Sequence, residues 1–294
     1  MTSAVNLWPR LVARPLSWAL IAAAAGLAAG PAAQAQTAAD PLLNPKPTAA
    51  DWAAIAQQPD LSGVWLPDRK HANYPFGKAS PPWNPQAAAY IAEQQRLDKV
   101  GTPNNIYINC LPEGMPSFMI MTLNALEILQ TPGRLTLLSE FDGNRQRRIW
   151  LDGRPRPEDA DATFSGFSRG RWEKTPQGET LVVETTDILP QTFLPLGQAV
   201  GQANNGDLRI VERIRLVEPD RLEDALEIHA PHVLTAPWRI TKSFVRTRER
   251  RNDIVEGSCL QGKFQAQVDK QGNHVFVPIE HEVGGAPLPR TVSK

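Results

Sequence analysis

From Ala125 onward the chain reads as a succession of short segments rich in branched and aromatic residues, each closed by a turn signal. Ala125–Thr131, Arg134–Phe141 and Arg145–Leu151 are bounded by Pro132-Gly133, Asp142-Gly143 and Asp152-Gly153. Phe164–Glu173 and Glu179–Ile188 flank Thr175-Pro176-Gln177-Gly178, and Leu208–Val217 and Leu222–His229 flank Glu218-Pro219-Asp220-Arg221. Trp238–Thr247 follows, with two further candidate strands near 261–268 and 273–283. Asp-Gly and Pro-Gly pairs at such spacing favour hairpins. Nine or ten strands with tight turns and no intervening helices leave few architectures open. They predict a mainly β fold: an antiparallel meander closed into a β-barrel, or a barrel-like sandwich.

Helices are expected only near the N-terminus. Asp51–Gln58 reads as one short helix, and a first strand follows Pro59-Asp60-Leu61 around Gly63-Val64-Trp65. Asn84 before Pro85 is an N-cap followed by a proline at the first helical position. The helix it starts should run to Gly101.

Ahead of this lies a different kind of segment. Arg10 and Arg14 precede an apolar run from about Trp18 to Ala29, and Ala33-Gln34-Ala35 offers a small-x-small cleavage site. The apolar core is too short to span a bilayer, so residues 1–35 read as a secretory signal peptide. The mature chain would be Gln36–Lys294, with 36–58 an N-terminal extension and 59–294 a single β-rich domain, located in the periplasm or secreted and without an integral membrane span. Losing two arginines leaves 29 basic against 31 acidic side chains, a formal charge of −2. No basic excess draws nucleic acid or anionic lipid. Cys110 and Cys259 are the two cysteines of the chain, and an oxidising compartment favours their pairing as a disulfide. Such a bridge would close a loop of about 150 residues, a constraint of roughly 4–5 kcal/mol on the unfolded chain.

The candidate chemistry is sparse. Gly166-Phe167-Ser168-Arg169-Gly170 matches G-x-S-x-G, but a nucleophile elbow needs a strand–turn–helix junction, and here a strand continues through Arg171-Trp172. Gly166, Ser168, Gly170 and Trp172 therefore read as one face of a strand, with small residues permitting close approach. His229 and His232 are spaced for chelation, yet Pro231 interrupts them and no third ligand is specified, so no metal is assigned. His281 alternates with Val277, Ile279 and Val283 and reads as a core histidine. Met115, Met119 and Met121 read first as packing. Phosphate-binding glycine loops and C-x-x-C are absent, so no nucleotide or iron–sulfur cofactor is expected.

Alternation singles out one carboxylate. Along Leu208–Leu216, one face carries Leu208, Ile210, Glu212, Ile214 and Leu216, while Arg209, Val211, Arg213 and Arg215 occupy the other. A carboxylate in an apolar face needs a cation, a proton or a polar ligand. Arg148, Arg169 and Arg239 lie on other predicted strands and could supply the cation.

The motifs PDLSGVW, CLPEGMP, LEILQTPG, RRIWLDGRPRP, GFSRGRWE, ETLVVETT, LRIVERIR and TAPW, taken together across residues 59–262, resemble a widespread family of uncharacterised exported bacterial proteins. Where that pattern has a His-Pro after Asp-Gly-Arg, this chain has Arg156-Pro157. Gly63-x-Trp65 on the first strand is similar to the opening of lipocalin-type (calycin) barrels, which implies such a barrel fold.

Three functions fit. The first is binding of a small apolar or aromatic molecule in the barrel mouth, with Arg148, Ser168, Trp172, Glu212 and Trp238 as ligand-binding residues. The second is a cavity enzyme doing proton-transfer chemistry (isomerisation, cyclisation or elimination) with Glu212 as acid or base. The third is a structural envelope module with a filled interior.

Overall fold

The computed structural model describes residue 44 and residues 46–70, 80–100, 111–140, 145–196, 201–257, 264–268, 270 and 274–278. The signal-peptide reading of residues 1–35, both cysteines of the expected disulfide (Cys110 and Cys259), and His281 lie outside them.

Nine strands close into a barrel. Among the described residues thirteen strands occur: β1 Gly63–Pro67, β2 Leu126–Thr131, β3 Arg134–Ser139, β4 Arg145–Trp150, β5 Phe167–Thr175, β6 Gly178–Thr186, β7 Phe193–Pro195, β8 Gly201–Ala203, β9 Arg209–Glu218, β10 Arg221–His229, β11 Trp238–Thr247, β12 Phe264–Val268 and β13 His274–Pro278. Around the barrel the order is β1-β11-β10-β9-β6-β5-β4-β3-β2, and β2 pairs back onto β1. The two pairs left out, β7–β8 and β12–β13, are separate hairpin sheets.

The mainly β barrel expected from the turn signals is therefore present, with one departure. β4 and β5 run parallel, through Ile149↔Ser168 and Trp150↔Arg169, so the barrel is mixed rather than a pure meander. Parallel neighbours need a long connection. Residues 151–166 supply it: Asp-Gly at 152–153 turns the chain out of β4, and the segment returns to the side from which β4 began.

Glycines allow the return. Gly166 has φ +66°, and a methyl there would meet the Thr186 carbonyl oxygen and Ile188. At Gly170 a methyl would come within 2.8 Å of Leu151, 2.9 Å of Ile149 and 3.1 Å of Leu181. The G-x-S-x-G pattern is thus a strand whose glycines let neighbouring core side chains close over it.

Among the described residues three α-helices accompany the barrel: α1 Ala49–Ile55, α2 Pro85–Lys99 and α3 Ser117–Ile120. α1 begins in a capping box between Thr48 and Asp51. α2 starts at the expected cap, where Asn84 Oδ1 accepts from the Ala87 amide at 2.8 Å and Pro85 follows. α3 was not expected from the sequence, because one turn carries too little periodicity to be read. It is wholly buried: Phe118, Met119, Ile120 and the following Met121 are at most 1% exposed. The methionines of this stretch pack in the core, as read.

Even-numbered positions of β9, β10 and β11 point inward, as do odd positions of β1, β3 and β4. Large side chains fill the interior. Trp65, Phe118 and Phe244 are fully buried, and Trp238 is 2% exposed. The β1–β11 seam is closed by Arg246, whose guanidinium lies 4.4 Å from the Trp65 ring centroid, a cation–π contact.

Candidate functional site

Among the polar side chains buried on the strands of the barrel are Ser139, Arg147, Ser168, Thr185, Glu212, Asp224 and Lys242. Each of the last six alternates with apolar residues on its own strand. Arg147 precedes Ile149, Glu212 sits between Ile210 and Ile214, Asp224 between Leu222 and Leu226, and Lys242 between Ile240 and Phe244. Alternation turns all of these inward, so the polar groups share the interior.

Arg147 is the hub. Its Nη1 donates to Glu212 Oε1 at 2.7 Å, and its Nη2 donates to Glu212 Oε2. Nε and Nη2 also donate to the Ser168 hydroxyl, at 3.3 and 3.2 Å, and Nη2 donates to Thr185 Oγ1 at 3.1 Å. The Ser168 and Thr185 hydroxyls bond each other at 2.8 Å. This fork-to-fork pairing is the geometry that lets a guanidinium and a carboxylate survive together without water.

The cation beside Glu212 is therefore Arg147 and none of the three arginines anticipated. Arg148 and Arg169 are exposed on the outer face, and Arg239, also exposed, pairs with Glu227 at 3.0 Å. Arg147 and Arg148 are adjacent, and a strand turns neighbours to opposite faces, so a one-residue difference separates a core ion pair from a solvated side chain.

Beyond Glu212 lies Asp224, 0% exposed, whose carboxylate oxygens receive a hydrogen bond from no donor. Burial pushes its pKa well above the usual carboxylate range, and the Glu212 charge pushes the same way; Arg147 and Lys242 oppose them. Lys242 faces Asp224 across the β10–β11 ladder, and its Nζ donates to the Ile120 carbonyl at the end of α3, at 2.8 Å. Burial lowers the Lys242 pKa to about 8, against the attraction of Asp224.

The other anticipated residues fall elsewhere. Ser168 belongs to the Arg147 network. Trp172 is half-buried, and its Nε1 donates to Gln58 Oε1 at 3.0 Å, tying the segment after α1 to the barrel wall. Trp238 is buried at the start of β11, opposite Ile228. His229 and His232 engage different carboxylates, Glu227 at 2.8 Å and Asp207 at 3.0 Å. Among the described residues no group of three potential metal ligands forms.

A separate feature opens at the barrel rim, a cleft of about 640 Å³. Leu66, Leu123 and Val245 give it an apolar lining, and Asp68, Asp220 and Arg221 bring charge of both signs to its edge. Arg221 opposes Val245 in the ladder, whereas Lys242 opposes Asp224. The cleft therefore lies three residues along β10 from the buried pair, roughly 10 Å. Glu212 does not line it.

Arg147, Asp224, Lys242 and the cleft were all missed in the sequence. The alternation that exposed Glu212 applies equally to Leu222-x-Asp224-x-Leu226 and Ile240-x-Lys242-x-Phe244. The cleft left no such trace, since its residues come from four separate parts of the chain. Compared with known proteins, the chain matches no family model and no curated protein sequence.

Proposed function

We propose that the protein is an exported barrel that binds one small, largely apolar molecule bearing a polar group, and that the rim cleft is its site. The observation that supports this is the cleft itself. Its volume of about 640 Å³ falls in the range of small-molecule sites, and it joins an apolar lining to convergent charges. Arg221 and Asp220 would orient the ligand's polar end, while Leu66, Leu123 and Val245 would take its apolar body. Glu212 serves as an internal brace in this reading, because Arg147 engages both of its oxygens.

A second reading, a structural envelope module with a filled interior, draws on the same brace. Polar groups satisfied by one another, together with buried Trp65, Phe118 and Phe244, suit a scaffold. One experiment separates the two. Protein purified natively from its source is examined by native mass spectrometry, and the stripped protein is titrated with the fluorophore 1-anilinonaphthalene-8-sulfonate. A retained molecule and saturable one-site binding, both abolished by Val245→Arg, support the cleft. Val245 is 41% exposed, so the longer side chain fills the cleft without entering the core. No retained molecule and no saturable binding leave the structural module as the function. Binding unchanged in Val245→Arg places the ligand elsewhere.

A further inference from the structure

We propose that Asp224 is a neutral carboxylic acid that donates a hydrogen bond to Glu212, making the interior of the barrel a proton-holding site. The inference is independent of the rim cleft. Four charged residues meet here from four strands: Arg147 on β4, Glu212 on β9, Asp224 on β10 and Lys242 on β11. They are at most 2% exposed, so each charge must be met inside the protein. Arg147 and Glu212 meet each other through two hydrogen bonds. Lys242 donates to the Ile120 carbonyl. Neither oxygen of Asp224 receives a hydrogen bond from any donor.

An ionised Asp224 would thus be a buried anion without a single hydrogen bond, set beside a second anion. Glu212 lies diagonally across the β9–β10 ladder, two residues from the Ile214 that Asp224 opposes, and both side chains turn inward, so the two carboxyls interact as charges and as a hydrogen-bonding pair. Two ionised carboxylates can only repel, and one proton between them converts the contact into an O–H···O⁻ hydrogen bond. Glu212 keeps its charge because Arg147 holds it, so the proton resides on Asp224. The direction in which burial moves Asp224 agrees with this assignment. The protonated acid also explains why a barrel tolerates a carboxyl group that nothing else binds. It is a donor held ready at neutral pH. If the interior opens, the group it can serve is a carbonyl, carboxylate or other hydrogen-bond acceptor on a small molecule.

Infrared spectroscopy of the full chain tests the assignment. At pH 7 the wild-type protein should show the carbonyl stretch of a protonated carboxylic acid, and the band should vanish in Asp224→Asn. The variant should unfold at a denaturant concentration equal to or above that of wild type, because an amide makes the same hydrogen bond to Glu212 without a proton. Absence of the band in wild type, or its survival in Asp224→Asn, overturns the proposal. Should Asp224→Asn fail to fold, wild-type protein labelled with [4-¹³C]aspartate decides. A band shifted by the label belongs to an aspartic acid and supports the assignment; an unshifted band belongs to a glutamic acid and refutes it.

Discussion

Severing the Arg147–Glu212 pair from each side in turn, and then removing it whole, tests how the interior is held. In Arg147→Met the guanidinium and its five hydrogen bonds disappear. Ser168 and Thr185 remain bonded to each other at 2.8 Å, so the damage concentrates on Glu212, buried and without its cation. In Glu212→Leu the guanidinium is the stranded charge. Breaking a buried pair from one side costs about 3–5 kcal/mol, whereas exchanging both partners for apolar side chains of similar volume is close to neutral. Arg147→Met/Glu212→Leu should therefore be more stable than either single variant, with a coupling energy of about 3 kcal/mol or more. Urea unfolding followed by far-ultraviolet circular dichroism measures it, with unchanged m values confirming two-state comparison. Additive losses, near 6–10 kcal/mol in the double variant, would refute the reasoning.

Two further perturbations probe the neighbourhood. Lys242 has a folded pKa of about 8 against an ordinary 10.5, so its burial penalty is complete below pH 8 and is relieved between 8 and 10.5. The gap corresponds to about 3 kcal/mol, from which an orphaned Ile120 carbonyl subtracts about 1–2 kcal/mol. Lys242→Met should gain about 1–2 kcal/mol at pH 7 and lose that advantage by pH 10, and urea midpoints at the two pH values check it. A loss above 1 kcal/mol at pH 7 would show that the ammonium's contacts outweigh its burial. Gly166→Ala should lose about 3 kcal/mol or more, since left-handed backbone and a collision with Thr186 and Ile188 combine there. Gly153→Ala, with φ +72° and open space around the added methyl, isolates the backbone part at about 1–2 kcal/mol. Thermal unfolding of the two variants compares them, and equal losses would deny the collision.

Much of the barrel is local information. Pro132-Gly133, Pro176-Gln177-Gly178 and Pro219-Asp220 mark the starts of β3, β6 and β10, Asp152-Gly153 follows the end of β4, and Trp238–Thr247 coincides with β11 as read. Turn chemistry acts within four residues, so the sequence displays it directly. The same holds for the Asn84-Pro85 start of α2. β7 and β8 escaped because three residues hold too little pattern. The parallel β4–β5 contact escaped because pairing across a long connection depends on where the segment 151–166 comes to rest.

The site divides the same way. Alternation along a single strand marked Glu212 as an inward carboxylate, and the period of two settles that side of the question without any neighbour. Its partner belonged to the tertiary structure. Which of Arg147 and Arg148 faces inward follows from the phase of β4, and which strand lies within reach of β9 follows from barrel closure. Asp224 is separated from Glu212 by a hairpin and from Arg147 by three intervening strands, β9, β6 and β5. Only closure brings their charges into one interior, where low polarity makes each depend on the others. Sequence alone determined that a carboxylate would be buried; the folded barrel decided what answers it.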